Sequence, residues 1–592
     1  MAPDPLTPPD IDWTADGQPV SRAYGDVYFS REDGLAEARA VFLAGCGLPE
    51  AWAGRKHFSV AELGFGTGLN ILALLELWSQ TRPADSHLHI WSVEAHPLSG
   101  EVLAASHRAW PELAAFSQSL LDAWPPSTPG LHRIDLPAFH ATLDLAFGEA
   151  TTMLDSWTGQ GDAWFLDGFA PATNPDMWSE RVLGLVAARS APAARVATFT
   201  VAGQVRRGLA AGGFEVSKRP GHGRKRERLE AVMPGVASEP ARPERIAVIG
   251  AGIAGASLVR AFNQIGVRPT LIEAEHPGAG ASGAPAGLVT PWLDAGLSPT
   301  AVLAAQAFHR ASGLYRREVP QAVLQTGVLR LSRDDADMSR LVRIAGQAIW
   351  PADSLRPATQ DEVAVQLDED QARPGLWLCD GLVVEPASIL AAWLAGAERL
   401  SGRVVDVTPG ATVGVRLADG QQLTFDAVVI AAGWESARIG VGPLSPVRGQ
   451  VAWVDGIEAG RGAVWGPGYA VPTRSGTLVG ATHERGQTDR EVDPGSSRIL
   501  LDRLSAVRPK LAAALVASDL SARVAIRATT PDHRPLCGPS GPGVWMLTGL
   551  GGRGFVWAPL LAEHLVAEIC ATTSPLSGVH IDLIAGHRLA PS

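Results

Sequence analysis

The 592-residue chain has little cysteine and little tyrosine, no long apolar run and no excess of basic charge. Its four cysteines, Cys46, Cys379, Cys537 and Cys570, lie far apart and form no Cys-x-x-Cys pair. That spacing excludes a zinc ribbon and a disulfide framework, so four reduced thiols and no bound metal are expected. No apolar stretch reaches the ~18 residues that span a bilayer, so no membrane association is expected. Residues 69–77 are apolar but few, and read as a core helix. The first thirteen residues lack a basic segment followed by an apolar one, so no signal peptide is expected and the compartment is the cytoplasm. Asp and Glu (61) outnumber Lys and Arg (50), giving a formal net charge of −11. A dedicated nucleic-acid binder usually carries the opposite sign, so any nucleic-acid contact must come from a local basic patch.

What is present is an ordinary globular composition, 46% hydrophobic and 19% charged, in a chain long enough for about three to five structural units. Tryptophan is plentiful, with 18 residues, a skew for which no physical reason is evident. The clearest seam is residues 234–245, rich in Pro, charge and small residues and without hydrophobic periodicity. It predicts a first domain over residues 1–235, a linker over 236–244 and a second domain over 245–592. Both halves open with an apolar strand, a glycine turn and a helical pattern, which predicts α/β layers on a mainly parallel sheet. In the second half the alternation fades after about Gln306. Strand-like runs at 449–454 and 476–482 then predict an α+β substrate domain inserted into the cofactor domain.

In the first half, a strand over residues 58–63 runs into Glu62-Leu63-Gly64-Phe65-Gly66-Thr67-Gly68, and a helix over 69–78 follows. Glycines there let the backbone turn sharply at the carboxyl end of a strand, where open α/β sheets bind ligands. The spacing differs from the dinucleotide pattern and resembles motif I of S-adenosylmethionine-dependent methyltransferases. Later strands deliver Glu94, suited to ribose hydroxyls, Glu149, suited to the adenine side, and Asp167 within Phe165-Leu166-Asp167-Gly168-Phe169. An alkylammonium has no lone pair and a pKa of about 10, so a methyl acceptor of that kind needs a group such as Asp167 to hold and deprotonate it. An Asp that merely caps the following turn is the alternative reading. Six of the eleven residues from 218 to 228 are Lys or Arg, among them Arg224, Lys225 and Arg226. A solvated face explains such a run, yet it is also the best local candidate for phosphate contact.

In the second half, a strand over residues 246–249 meets Gly250-Ala251-Gly252-Ile253-Ala254-Gly255, a helix follows, and the next strand ends at Glu273, 23 residues beyond Gly250. The full context is that of a dinucleotide site, with the pyrophosphate at the glycines and helix N-terminus and the ribose at the acid. NAD and FAD share this pattern. Segments with Ser282-Gly283 and Ala432-Gly433 resemble those of D-amino-acid-oxidase-like flavoproteins and favour FAD. Gly551-Gly552-Arg553-Gly554, ahead of another helix, would bring backbone amides to the flavin. No linking residue is evident, so non-covalent FAD is expected.

These segments together resemble one family, the bifunctional tRNA 5-methylaminomethyl-2-thiouridine biosynthesis proteins. Further carriers are Asp26-Val27-Tyr28-Phe29-Ser30, Gly34 to Arg39, Phe65 to Asn70, Asn174 to Trp178, Pro446-Val447-Arg448-Gly449-Gln450 and Thr530-Pro531-Asp532. The resemblance implies a methyltransferase Rossmann-like domain joined to an FAD-binding Rossmann domain, acting as a monomer on the wobble uridine of tRNA. The flavin half removes the carboxymethyl group of a carboxymethylaminomethyl substituent, and the first half methylates the amine left behind. It also implies Asn70 as a contact for S-adenosylmethionine, Asp167 as the catalytic group, and Phe169 and Trp178 as stacking partners of the base. A substrate carboxylate calls for a guanidinium, and Arg448, Arg527 and Arg553 are unranked candidates. Two departures are Thr173, where a basic residue is expected, and the less polar stretch 284–289. A flavin amino-acid oxidase fused to a small-amine methyltransferase, or to an inactive RNA-binding module, is the alternative.

Overall fold

A computed structural model describes residues 5–15, 17–29, 33–223, 226–239, 241–466 and 468–589. In the first half an eight-stranded sheet is built from β1 (His57–Leu63), β2 (His87–Glu94), β3 (Gly130–Leu136), β4 (Ala141–Phe147), β5 (Gly161–Leu166), β6 (Ser190–Thr198), β7 (Glu215–Pro220) and β8 (Glu227–Val232). Its order is β7-β8-β6-β5-β1-β2-β4-β3. The five central strands are parallel, and antiparallel pairs close both edges. Strands β1 and β4 are buried along nearly their whole length, which is why they read as unbroken apolar runs rather than alternating ones.

Helix α1 (Leu69–Thr81) packs on this sheet with Leu69 to Leu75 and Trp78 all buried. It starts at Gly68, whose φ of 76° lies in the left-handed region that a residue with a Cβ avoids. It ends before Arg82-Pro83, because proline disfavours helical backbone in the residue preceding it. The described residues of the basic run, 218–223 and 226–228, occupy the facing ends of β7 and β8 and the adjoining turn, where Lys218 pairs with Glu227 at 2.7 Å and Arg228 with Glu230 at 2.7 Å.

The second half holds a six-stranded sheet of β9 (Ile246–Ile249), β10 (Thr270–Glu273), β11 (Glu398–Ser401), β12 (Ala427–Ile430), β13 (Leu536–Gly541) and β14 (Val544–Thr548), in the order β11-β10-β9-β12-β14-β13. Helices α2 (Ile253–Gln264) and α4 (Gly554–Ile569) pack on it, and α3 (Pro299–Glu318) packs on α4. A ten-stranded mixed sheet includes Val323–Leu331, Gly375–Val384, Ser445–Asp455, Gly476–Gly480 and Ser521–Thr529. The chain crosses to it after β10, returns for β11 and β12, and crosses again before β13. The expected insertion is thus two interleaved segments, not one block. No helix among the described residues is long and apolar enough to cross a membrane.

The halves meet along edge strand β3. Arg260 of α2 donates to Asp135 (2.6 Å), Glu563 (2.6 Å) and Glu318 (2.6 Å). Arg310 of α3 donates to the same Asp135 oxygen (2.6 Å), to Glu563 (2.6 Å) and to the Arg133 carbonyl (3.0 Å). Arg133 in turn forks onto Asp144 at 2.8 and 2.7 Å. Every member except Glu318 is about nine-tenths buried or more. Burial works against the charged carboxylates, but Arg310 and Arg260 outweigh it at Asp135, and Arg133 with His89 holds Asp144 down to about 2.

A carboxylate held below its ordinary 3.8 favours the folded state only while ionised. The stabilisation from both is therefore complete above about pH 5; that from Asp144 is lost as pH falls through about 2, and that from Asp135 only at still lower pH. Replacing Asp135 by Asn leaves two buried arginines without their shared acceptor. It should destabilise the protein by about 3–5 kcal/mol in denaturant unfolding, and an unchanged midpoint would contradict the role assigned to the cluster.

Candidate functional site

Two cavities open at the carboxyl ends of the two parallel sheets, one of about 550 Å³ in the first half and one of about 890 Å³ in the second. Both lie within the size that holds a nucleotide-like ligand.

The first cavity is lined by Gly64, Gly66, Asn70, Glu94, Glu149, Asp167 and Phe169 among others, so most of the residues predicted for it converge. Glu94 is fixed by two backbone donors, Gly66 N–H at 2.9 Å and His96 N–H at 2.8 Å. One Asp167 oxygen accepts Gly168 N–H at 2.8 Å, and the other accepts the Asn70 amide at 2.8 Å. Asn70 also donates to Glu62 at 3.1 Å, and Ser92 donates to the second Glu62 oxygen at 2.6 Å. Glu62 is fully buried and does not line the cavity, so the expectation of a direct ligand contact is corrected. Its carboxyl orients Asn70, which bridges to Asp167. Burial pushes the Glu62 carboxyl well above its ordinary range, the Ser92 and Asn70 hydrogen bonds pull it back, and the Asp167 charge raises it further. Gly68 also lies behind the wall, where it starts α1 and packs against the Phe65 ring.

Trp178 requires a second correction. It is 2% exposed and its indole N–H donates to the Phe169 carbonyl at 2.9 Å, so it braces the loop and cannot stack on a base. The stacking partner of Phe169 is Tyr24, with ring centroids 4.5 Å apart and planes 22° apart, and Tyr28 meets Phe169 edge-on at 5.3 Å. Neither tyrosine was anticipated as an element of the site, although Tyr28 lies within the Asp26–Ser30 motif. Burial, with the charges of Glu149, Glu94 and Asp176, raises the Tyr24 hydroxyl pKa. Arg226 is exposed at the hairpin tip and lines neither cavity, while Ser30, Arg224 and Lys225 lie outside the described residues.

The second cavity is lined by Gly250, Gly252, Glu273, Ser282, Ala432, Gly433, Gly551, Gly552, Gly554 and Arg527. A Cβ added to Gly433 or Gly552 would meet nothing within 4 Å, so the backbone there faces open space that a ligand can approach. Glu273 accepts Ala251 N–H at 2.6 Å, and Ser282 Oγ accepts Ile253 N–H at 3.0 Å at the start of α2. This strand end, glycine turn, helix terminus and acid match what a flavin dinucleotide requires. Gly255 and Gly283 do not line the cavity; their work is close packing. A Cβ on Gly255 would come 1.8 Å from the Gly250 carbonyl, and one on Gly283 would come 2.5 Å from Arg523. Arg523, unremarked in the sequence, donates to the carbonyls of Gly278, Ala279, Gly280 and Gly283 at 2.7 to 2.9 Å and clamps that loop. Arg553 also stands outside the lining, with its guanidinium 5.2 Å from the Trp292 ring centre.

The three candidate arginines now separate. Arg448 is 3% exposed and donates to Glu484 (2.9 Å), Asp489 (3.0 Å) and the Glu491 carbonyl (2.5 Å), so it is a structural hub and not a substrate contact. Strand alternation explains the difference. Val447, not Arg448, is paired opposite Arg527, so Arg448 points to the other face of the sheet. Arg527 lines the cavity, and no carboxylate partner is found for it among the described residues. It lies over Gly449, where a Cβ would come 2.4 Å from its guanidinium. Tyr469 and His483 line the same end; burial, then Arg527, Arg485 and His533, keep the His483 ring below its usual pKa.

Known proteins bear on both halves. A family model described as FAD dependent oxidoreductase matches residues 245–568, and one described as S-adenosyl-L-methionine-dependent methyltransferase matches residues 111–234. FAD and S-adenosylmethionine are accordingly the cofactors of the two halves. The tRNA 5-methylaminomethyl-2-thiouridine biosynthesis bifunctional protein MnmC of Caulobacter sp. (strain K31) is 49% identical over 584 residues, 97% of this chain and 96% of its own. The protein of that name from Maricaulis maris (strain MCS10) is 42% identical over 607 residues, 100% of this chain and 98% of its own. A thermally stable mutant of fructosyl peptide oxidase shares the fold of the second half, with a TM-score of 0.50 at 15% identity, covering 59% of this chain and 94% of that one. With relatives this similar along nearly all its length, the chain belongs to the family of bifunctional tRNA 5-methylaminomethyl-2-thiouridine biosynthesis proteins.

Proposed function

We propose that the chain modifies the wobble uridine of tRNA in two steps, as a monomer in the cytoplasm. Residues 245–592 oxidise 5-carboxymethylaminomethyl-(2-thio)uridine to the 5-aminomethyl form, residues 1–235 methylate that amine, and residues 236–244 join them. The observation that supports this most is the pair of cavity ends in one chain. One presents Arg527, suited to a carboxylate, and the other presents Asp167, suited to an ammonium.

When bound, FAD supplies the hydride acceptor and S-adenosylmethionine supplies the methyl group. Gly250, Gly252, Glu273, Ser282, Gly433 and Gly552 would hold the first, and Gly64, Gly66, Glu94 and Glu149 the second. Arg527 grips the carboxylate through paired N–H donors, which positions the carbon next to nitrogen for loss of hydride. The imine left on the substrate adds water and separates into the aminomethyl group and glyoxylate. In the first cavity Asp167, oriented by Asn70 and Gly168, accepts an N–H of the ammonium and takes its proton, freeing the lone pair for methylation. Phe169 and Tyr24 offer a flat apolar wall to the base.

Site variants assayed on tRNA test this assignment. Asp167→Asn should slow methylation by about 10²–10⁴ while oxidation continues, so aminomethyluridine accumulates. Glu62→Gln should slow methylation less than Asp167→Asn, because the new amide oxygen can still accept from Asn70 while the Ser92 hydroxyl turns to accept from the new N–H. Arg527→Ala should cut oxidation by about tenfold or more and leave methylation of aminomethyl-tRNA intact. An Asp167→Asn enzyme that methylates at the normal rate, or an Arg527→Ala enzyme that oxidises normally, contradicts the corresponding role.

A further inference from the structure

The two cavities have opposite electrostatic character. Among the described residues, seven carboxylates line the first cavity, including Glu94, Glu149, Asp167 and Asp176, and no lysine or arginine does. The second is lined by six arginines and three glutamates. At the acceptor end of the first cavity, Asp167 and Asp176 line the wall beside Phe169, on which Tyr24 stacks, and the charge of Asp176, with those of the cofactor-side Glu149 and Glu94, bears on the Tyr24 hydroxyl. At the matching end of the second, Arg527 and His483 line the wall, with Arg485 and His533 bearing on His483.

The substituent on the uridine changes charge between the steps. Before oxidation it carries an ammonium and a carboxylate; after oxidation it is a bare ammonium. Like charges placed together at a binding site oppose binding strongly, and walls of low polarity strengthen the effect.

We propose that the acid-lined cavity sorts its substrates by charge, accepting the aminomethyl cation and turning away the carboxylate-bearing precursor. This rests on the function proposed above. The order of the steps is then set by electrostatics at the second site. The precursor is also an amine that methyl transfer could consume, and premature N-methylation is suppressed because its carboxylate would face Asp167 and Asp176, with no lysine or arginine among the described lining residues to meet it. Asp176, at the start of the short helix Asp176–Trp178, is a specificity-determining residue in this scheme.

The test uses the full-length enzyme with its flavin reduced by dithionite under nitrogen, so that oxidation cannot run. Initial rates of methyl transfer from S-adenosylmethionine are compared on two tRNAs, one bearing aminomethyluridine and one bearing carboxymethylaminomethyluridine. The expected preference for the first is about a hundredfold or more. The ratio should fall about tenfold in Asp176→Asn and should also fall as salt is raised, since both changes weaken repulsion. Steric exclusion alone would leave the ratio unmoved by salt or by Asp176→Asn, and that result overturns the inference. Equal methylation of both tRNAs overturns it as well while leaving the proposed function standing. Failure to methylate aminomethyl-tRNA overturns the proposed function and this inference with it.

Discussion

Two arginines of the flavin half and one aspartate of the methyltransferase half meet in a space closed to water. The rest of the architecture depends on that meeting. Arg260 lies on the helix that begins at the flavin cavity's glycine turn, and Glu563 lies on the helix that follows Gly551–Gly554. Asp135 lies on β3, which pairs with β4, the strand that ends beside Gly148 and Glu149. One cluster therefore braces cofactor-facing elements of both halves. Taking these charges out of water is costly, and an apolar contact of the same size would often be as stable. What charges add is a penalty for displacement: sliding the halves apart would leave Arg260, Arg310 or Asp135 buried without its partner. Two cavities that must serve the same nucleotide in turn benefit from a fixed spacing, because the product of one site stays at high local concentration for the other.

The cavities themselves divide the chemistry by charge. The Arg527 guanidinium, with no carboxylate partner among the described residues, suits the anionic end of the precursor. A wall of carboxylates beside stacked aromatic rings suits a cationic amine on a flat base. Neither preference is visible in a net charge of −11, which averages over both. Arg226, exposed at the β7–β8 hairpin on the edge of the eight-stranded sheet, adds a positive charge outside either cavity.

Much of this was legible in sequence because the signals are local. A glycine turn, the strand before it and an acid at the next strand end are close in the chain, so Gly66, Glu94, Gly250 and Glu273 could be placed before any fold was known. Residues whose role depends on distant partners were not legible. Arg448 and Arg527 look alike in sequence, and only the register of their strands and the presence of Glu484 and Asp489 separate them. The resemblance implies Trp178 as a stacking partner of the base, yet its neighbours bury it. Tyr24 precedes the eight-stranded sheet by more than thirty residues and reaches the site only through tertiary folding. Glu62 shows the subtler limit. Its place beside the glycine turn was right, but a side chain on the inward face of a buried strand supports the site from behind.

The most direct measurement is mass spectrometry of nucleosides from tRNA bearing carboxymethylaminomethyluridine, after incubation with the purified protein in air, with and without S-adenosylmethionine. Aminomethyluridine without the methyl donor, and methylaminomethyluridine with it, is the expected result. An unmodified tRNA from a yellow enzyme that still oxidises small amino acids would contradict it, and would assign the paired cavities to free amines instead.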